Sequence, residues 1–410
     1  MSPEATAPTH VEYLLDGSPL RRRSYAALVA LALLAAVIFG ACMTLLVFTG
    51  LRPDVLQVFL TGVAVAAIAS LIPVVILWFL DRRERESPWL FAVAFLWGAV
   101  IATGLALPLN NAILRSVEAW LQGNPGVAEY LGPDAALLIG APIAGPLVEE
   151  VTKGLGVVAL FLLLRAEFDN VRDGLIYGAL VGAGFNCLEA PLYVAQGYAE
   201  YGFAPWGLQF GGRFALFGLA GHAMYTGVFG ALLGLARQTR RAWLRYAAPL
   251  AGLLLAIGAH AFNNALGLLI TIALRAAGEE PPEPGPPPNI SFIEGWTQRS
   301  VIDLILFFPM LLLLAVLVWR SGVWERRTIR EQLADEVGGA VTPEEYARIE
   351  RDGIIRTRRI DRLDRRRSAA IVNAQNELAF RKWRMAAAGG DPERDPLVQG
   401  WRRRIAELRR

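Results

Sequence analysis

Eight stretches of this chain stay apolar for about 18 residues or more, the length at which a helix can cross a bilayer, and no other feature limits the possible folds as much. They lie near Tyr25–Phe48, Leu56–Leu80, Trp89–Leu109, Ala141–Leu164, Gly174–Val194, Phe214–Ala236, Tyr246–Ile272 and Val301–Trp319. The reading is an all-α, polytopic membrane protein of about eight transmembrane helices. Composition agrees, since 54% of the 410 residues are hydrophobic and only 19% are charged. The two cysteines, Cys42 and Cys187, both sit inside apolar runs, which excludes a disulfide framework and any CxxC metal or redox site.

The runs divide the chain into a leader (1–24), a transmembrane domain (25–319) and a polar tail (320–410). Arg21, Arg22 and Arg23 precede a first run too long for a signal peptide, so it reads as a retained anchor. Lys and Arg gather on alternate connections, including Arg82, Arg83, Arg85, Arg165 and Arg172, which puts both termini in the cytosol, most simply at a bacterial inner membrane. Two outer connections have character. Asn110–Pro133 has room for a short interfacial helix around Ile113–Leu121, and Glu279–Pro288 is a Pro-rich spacer. The tail holds 22 basic and 15 acidic residues, net +7, against net −4 for the rest. A basic, helical tail suggests contact with anionic lipid; a solvated tail or an oligomerisation arm is the alternative. A helix is expected to start at Thr342-Pro343-Glu344-Glu345, an N-cap followed by Pro and an acidic first turn. Nothing in the tail resembles a nucleic-acid motif.

Ionisable groups inside hydrocarbon are costly, so the few present are functional candidates. The fourth run carries Glu149, Glu150 and Lys153, and the fifth Asn186 and Glu189. His222 lies in the sixth run, and the seventh carries His260, Asn263 and Asn264. Two of only three histidines and one of only two lysines are thus in apolar runs. Lys153 is i,i+4 from Glu149 and i,i+3 from Glu150, so it can pair with either. Counted from the outer ends of their runs at 1.5 Å per residue, Glu149 and His222 lie about 12 Å deep and His260 about 18 Å, with Glu189 shallower. Four polar centres from four helices are therefore read as one layer, in the outer half of the membrane. Carboxylate and imidazole donors suit zinc, and a further carboxylate could act as general base on water. An Asn side chain could hydrogen-bond a developing oxyanion. The same groups would also serve a proton relay or ion site.

These residues also form a recognisable series. Glu149-Glu150-Val151-Thr152-Lys153 is an EExxK motif, Phe185-Asn186-Cys187-Leu188-Glu189 an FxxxE motif, and Gly221-His222 follows in a small-residue helix. His260-Ala261-Phe262-Asn263-Asn264 completes the series as HxxxN. In order and spacing this resembles the PrsW family of intramembrane proteases, which is related to the type II CAAX prenyl endopeptidases. The likeness covers roughly Ala141–Leu269, within a protease-like core of 141–270. It implies an active site of Glu149, Glu150, Glu189, His222 and His260 supported by Asn264. In CAAX-type relatives the second motif ends in His where this chain has Glu189, and His222 could supply the imidazole. The expected metal set is Glu189, His222 and His260 holding zinc, with a glutamate-activated water as the metal-independent alternative. The family's role implies cleavage of a single-pass membrane substrate such as an anti-sigma factor. The rival functions are a proton- or ion-coupled transporter using the same layer, for which no internal repeat is visible, and a non-catalytic membrane scaffold.

Overall fold

The computed structural model describes residues 18–81, 87–164, 167–282, 285–353, 359–361 and 363–410. Most of the leader, Arg82, Arg83, Arg85 and Arg165, and part of the Pro-rich spacer lie outside the described residues. Those described form helices and connecting turns, with no β-strand among them beyond an isolated bridge between Val337 and Val341. In chain order the helices are α1 (Arg23–Leu46), α2 (Pro53–Leu80), α3 (Pro88–Gln122), α4 (Pro125–Leu131), α5 (Ala135–Leu163), α6 (Val171–Tyr201) and α7 (Trp206–Arg213). They continue with α8 (His222–Gln238), α9 (Leu244–Ala276), α10 (Phe292–Leu306), α11 (Phe308–Leu333), α12 (Pro343–Glu350), α13 (Arg365–Ala387) and α14 (Pro396–Arg409).

Among the described residues, seven helical stretches are long and apolar enough to cross a membrane. The 29-residue α5 is outside that set and carries Glu149, Glu150 and Lys153 at its middle. With it the count is eight, and the chain is a multi-pass membrane protein. Apolar side chains such as Leu31, Ile68 and Leu254 stand exposed along the outer helices, as lipid-facing surfaces require.

Several boundaries differ from the apolar runs. The third run and the supposed interfacial helix are one element, because α3 continues unbroken through Ile113–Leu121 to Gln122. Its middle, Trp97–Ala102, widens into a π-turn. The sixth run is broken: Leu216 and Phe217 take left-handed φ values of 49° and 62°, Gly218 and Gly221 are also positive, and helix resumes only at His222. The eighth run breaks at Phe307, which separates α10 from α11. Past Trp319, α11 continues without a break into the polar tail.

The centre of the bundle is α6, the most buried of the spans. Its Gly174, Gly178 and Gly182 recur every fourth residue and lie against the α8 backbone at Gly230, Thr226 and His222, close enough that an added Cβ would overlap those carbonyls. Small residues at this spacing let two helices meet backbone to backbone, the usual device where solvent supplies no drive for association. On another face Gly184 packs in the same way on Phe95 of α3. The N-terminus of α6 is set by a reciprocal capping box between Asn170 and Asp173.

The tail has its own apolar core, built on Ile329, Leu333, Ile371, Leu378, Phe380, Val398 and Ile405. The anticipated start at Thr342 is a full capping box with Glu345. Much of the basic charge is spent internally. Lys382 lies 2.6 Å from Asp335 and 2.7 Å from Glu336, Arg402 joins Glu336 to Glu393, and Arg381 pairs with Asp395 at 2.7 Å. The tail also reaches the turn between α5 and α6, where Arg384 pairs with Asp169 and Glu325 with Arg172 at 2.9 Å.

Gly178→Ala is expected to cost about 1–3 kcal/mol by overpacking, read as a lower thermal midpoint in detergent micelles. An unchanged midpoint would mean that α6 and α8 are not in backbone contact. A second expectation concerns pH. Burial pushes the Glu377 carboxyl on α13 up to about 8, with Arg384 pulling the other way and Glu167 and Asp169 adding to the rise. A carboxyl raised from 4.5 to about 8 contributes stability that is complete below 4.5 and is lost as pH rises through 8. Amide exchange in α13, corrected for its intrinsic rise with pH, should therefore quicken between about pH 5 and about pH 8, and Glu377→Gln should flatten that slope. Equal slopes in the two proteins would dismiss this role for Glu377.

Candidate active site

Four helices bring the polar groups of the sequence motifs to one place. Glu149 is the fifteenth of the 29 residues of α5, counting from Ala135, and Glu150 and Lys153 follow on the same buried stretch. Glu189 comes from α6 and His260, Asn263 and Asn264 from α9. His222 is the first residue of α8, so its ring hangs at the positively polarised end of a helix, facing carboxylates. Glu149, Glu150, Lys153, Glu189, His222 and His260 are all buried. They meet because the α6 and α8 backbones touch: Gly182 lies against the carbonyl of His222 itself.

The hydrogen bonds separate the two adjacent glutamates. Glu150 Oε1 accepts from Lys153 Nζ at 2.6 Å and from His260 Nδ1 at 3.0 Å, and Glu150 Oε2 accepts from Thr226 Oγ1 at 2.9 Å. Glu149 Oε1 accepts from Asn110 Nδ2 at 3.0 Å. Glu149 Oε2 is buried and accepts no hydrogen bond among the described residues, with Lys153 Nζ at 3.8 Å and His222 Nδ1 at 3.9 Å. His222 is held at both ring nitrogens. Lys153 Nζ donates to Nδ1 at 2.7 Å, which places the ring proton on Nε2, and Nε2 donates to Glu189 Oε2 at 3.0 Å. In His260 the Nδ1–H is taken by Glu150, a carboxylate–imidazole pairing that leaves Nε2 as the acceptor nitrogen. The Tyr225 ring stacks on His260 at 5.3 Å, and the Lys153 ammonium lies 4.3 Å from the centre of the Phe185 ring.

The centre opens into a cavity of about 370 Å³. Its floor includes Glu189, His222, His260 and Asn264; α7 and α10 roof it with Arg213, Gln298 and Arg299. The roof helices pack through Gly207, Gly211 and Gly295, and Arg299 ties α10 to Asn263 on α9. Asn264 Nδ2 donates to the Ala141 carbonyl at 3.2 Å, and Asn264 Oδ1 accepts from Asn263 at 3.1 Å.

The sequence reading did not name Asn110, Thr226, Arg213, Arg299 or Asp303 among the residues of the centre. In the structure Arg213 Nε donates to Glu189 Oε2 at 2.8 Å. Thr226 was open to discovery, standing four residues after His222 on the same helical face. So was Arg299–Asp303, an i,i+4 pair (2.9 Å) at the edge of an apolar run. Asn110 carried no such signal. Cys187 packs in an apolar cluster with Ala190 and Phe214, as expected.

Residues 86–277 match the family model of the PrsW family intramembrane metalloprotease. This stretch is similar to a PrsW-type protease domain. The match runs from just before α3 to the end of α9, so it reaches further upstream than the motifs and takes in Asn110 and the π-turn. Trp97 in that turn donates through Nε1 to the Thr152 carbonyl at 3.0 Å, bracing α5 beside Lys153. The α10 half of the roof and the tail lie beyond the PrsW-type domain. No curated protein and no solved structure gives a significant match.

One buried group among the described residues of the PrsW-type domain has the donors a metal needs: Glu149, His222 and His260, with ligand atoms within 4.8 Å of one another. The expected set named Glu189 in place of Glu149, and here Glu189 Oε2 is engaged by Arg213 and His222. The donors fit a borderline cation. Two imidazoles and a carboxylate face each other, the carboxylate has an orphaned oxygen, and the His260 tautomer is fixed by Glu150. Lys153 at His222 Nδ1 is the group that an ion would displace.

Proposed function

We propose that the chain cleaves a peptide bond of a single-pass membrane protein, for instance an anti-sigma factor, with Glu149 accepting the proton of the attacking water. The observation that carries this reading is the contrast between the two glutamates. Glu150 has both oxygens satisfied, whereas Glu149 presents a buried oxygen that has no hydrogen-bond donor among the described residues and lies beside two imidazoles. A general base must have a free acceptor within reach of the proton it takes. Glu150 then orients His260 and neutralises Lys153. The water oxygen attacks the scissile carbonyl carbon, its proton passes to Glu149, and that proton leaves with the amine as the C–N bond breaks. The second N–H of the Asn264 amide is available to the carbonyl oxygen as it gains charge.

As the alternative to the base role, which the single free oxygen of Glu149 could not serve at the same time, Glu149, His222 and His260 would hold a metal, with zinc the best match to the donors; when bound it would supply polarisation of the water and the carbonyl. We place both termini in the cytosol of a bacterial inner membrane, as the Lys/Arg asymmetry requires. Basic side chains of the tail left exposed, such as Arg365, Arg366, Arg403 and Arg404, would meet anionic lipid.

Purified protein and a single-pass substrate in proteoliposomes test the reading by fragment analysis. Glu149→Gln, which can still accept from Asn110, is expected to slow cleavage about 10²- to 10⁴-fold. Undiminished cutting by this variant would remove Glu149 from the mechanism. Metal content assigns the ligands: zinc should fall in Glu149→Gln and His260→Ala and persist in Glu189→Gln. Zinc lost with Glu189 and kept with Glu149→Gln would restore the set Glu189, His222 and His260.

A further inference from the structure

We propose that Arg213 is a positioning residue of this centre, and that through it the roof helix α7 sets the orientation of the His222 ring. Arg213 is the last residue of α7, and its side chain is only 21% exposed. Its Nε donates to Glu189 Oε2 at 2.8 Å, and the same oxygen accepts from His222 Nε2 at 3.0 Å. The arginine is itself held from several sides. Its guanidinium lies 4.3 Å from the centre of the Tyr193 ring, a terminal nitrogen donates to Gln209 one turn earlier, and its carbonyl accepts from Asn186 Nδ2 at 3.3 Å. So fixed an arginine aims one N–H at one carboxylate oxygen, which a merely neutralising charge would not need.

The consequence falls on His222. Lys153 donates to Nδ1, so the ring must carry its proton on Nε2, and Nε2 needs an acceptor. Glu189 is that acceptor only while its own charge is answered in a buried site, and Arg213 is its cationic partner there. Without the arginine, Glu189 Oε2 loses the donor that fixes its position, and the carboxylate is free to turn away from the imidazole. Arg213 also belongs to a roof with bends on both sides. Gly202 before α7 and Leu216 and Phe217 after it all have positive φ, while α7 packs through Gly207 on Ile290 and Ser291, just before α10, and through Gly211 on Gly295 and Trp296 of α10. The seating of the roof over the cavity is therefore passed to the imidazole by two hydrogen bonds. The effect on turnover rests on the proteolytic reading, whereas the effect on the ring does not.

The chain has three histidines, His10, His222 and His260. ¹⁵N-histidine labelling of the full-length protein in micelles therefore gives three resolvable sets of ring-nitrogen signals by NMR. Arg213→Gln is expected to move the His222 signals, leave those of His260 in place, and lower kcat about 10- to 100-fold with KM unchanged. Arg213→Lys should recover part of both. Gly211→Ala, whose Cβ would meet the Gly295–Trp296 backbone, should move the same His222 signals although it touches neither Glu189 nor His222. His222 signals that superimpose on wild type in Arg213→Gln would overturn the proposal, whatever happens to cleavage. Movement of both histidines' signals would count against it as general loosening. Unmoved signals in Gly211→Ala would remove the roof from the chain of effects. A wild type that cuts nothing, with the signals moving as expected, would refute the proteolytic reading and leave the positioning role standing.

Discussion

A lysine with no solvent exposure inside a bundle of apolar helices has to be answered on every side, and the buried polar centre is organised around that requirement. Lys153 donates to Glu150 and His222, rests over the Phe185 ring and stands 3.8 Å from Glu149. Those partners come from three helices, so α5, α6 and α8 cannot separate without exposing an unpaired ammonium to hydrocarbon. Removing one partner of such a buried set costs about 3–5 kcal/mol, because the charge left behind is uncompensated. The polar layer is therefore a cooperative unit, which explains why so many of its members hold two or three partners each.

Charge pairing alone would not place these groups, because carboxylates and imidazoles are short. They meet only if the backbones meet, and the glycine ladder of α6 makes that possible. Gly182 lies beneath the His222 carbonyl, Gly178 beneath that of Thr226, and these same two α8 residues donate to Glu189 and Glu150. Packing and chemistry are thus one constraint, since a larger residue in the ladder would push the α8 donors away from their acceptors. The break before His222 adds to this arrangement. A helix continuous from Phe214 would bury the His222 amide in its own hydrogen bonding, whereas beginning at His222 turns the positive end of the helix toward the carboxylates.

Which parts of this were legible in the sequence follows from how each signal arises. Apolar runs report membrane crossing directly, so the spans were visible, as were Glu149, Glu150, Glu189, His222 and His260, ionisable residues in places where such residues are costly. The interruption at Leu216–Gly221 was not visible. Leu216 and Phe217 are as apolar as helical neighbours would be, and their left-handed backbone leaves no mark on composition. The same blindness joined α10 to α11 and cut α3 short, because hydropathy measures solvent preference and says nothing of backbone path. Partners such as Asn110 and Arg213 were hidden for another reason. Their role depends on which helix face meets which, and that is set by tertiary packing. The tail's net +7 was equally incomplete, because a net charge does not show that Lys382, Arg381 and Arg402 pair within the tail itself.

The pair Glu149-Glu150 shows how two identical neighbours acquire different chemistry. One step along a helix rotates a side chain by about 100°, enough to point Glu150 at α8 and α9 and Glu149 at Asn110 of α3. Thr226, His260 and Lys153 converge on the former, so that each of its oxygens accepts at least one hydrogen bond. The latter receives a single donor, from Asn110, and keeps the other oxygen bare. Burying an oxygen in that state costs free energy, and it can persist because the saturated network next to it holds the helices in place. The rigidity conferred by Glu150 is what allows Glu149 to remain unsatisfied. An unsatisfied carboxylate oxygen beside two imidazoles is the group in this bundle best able to take a proton from water or to bind a metal ion.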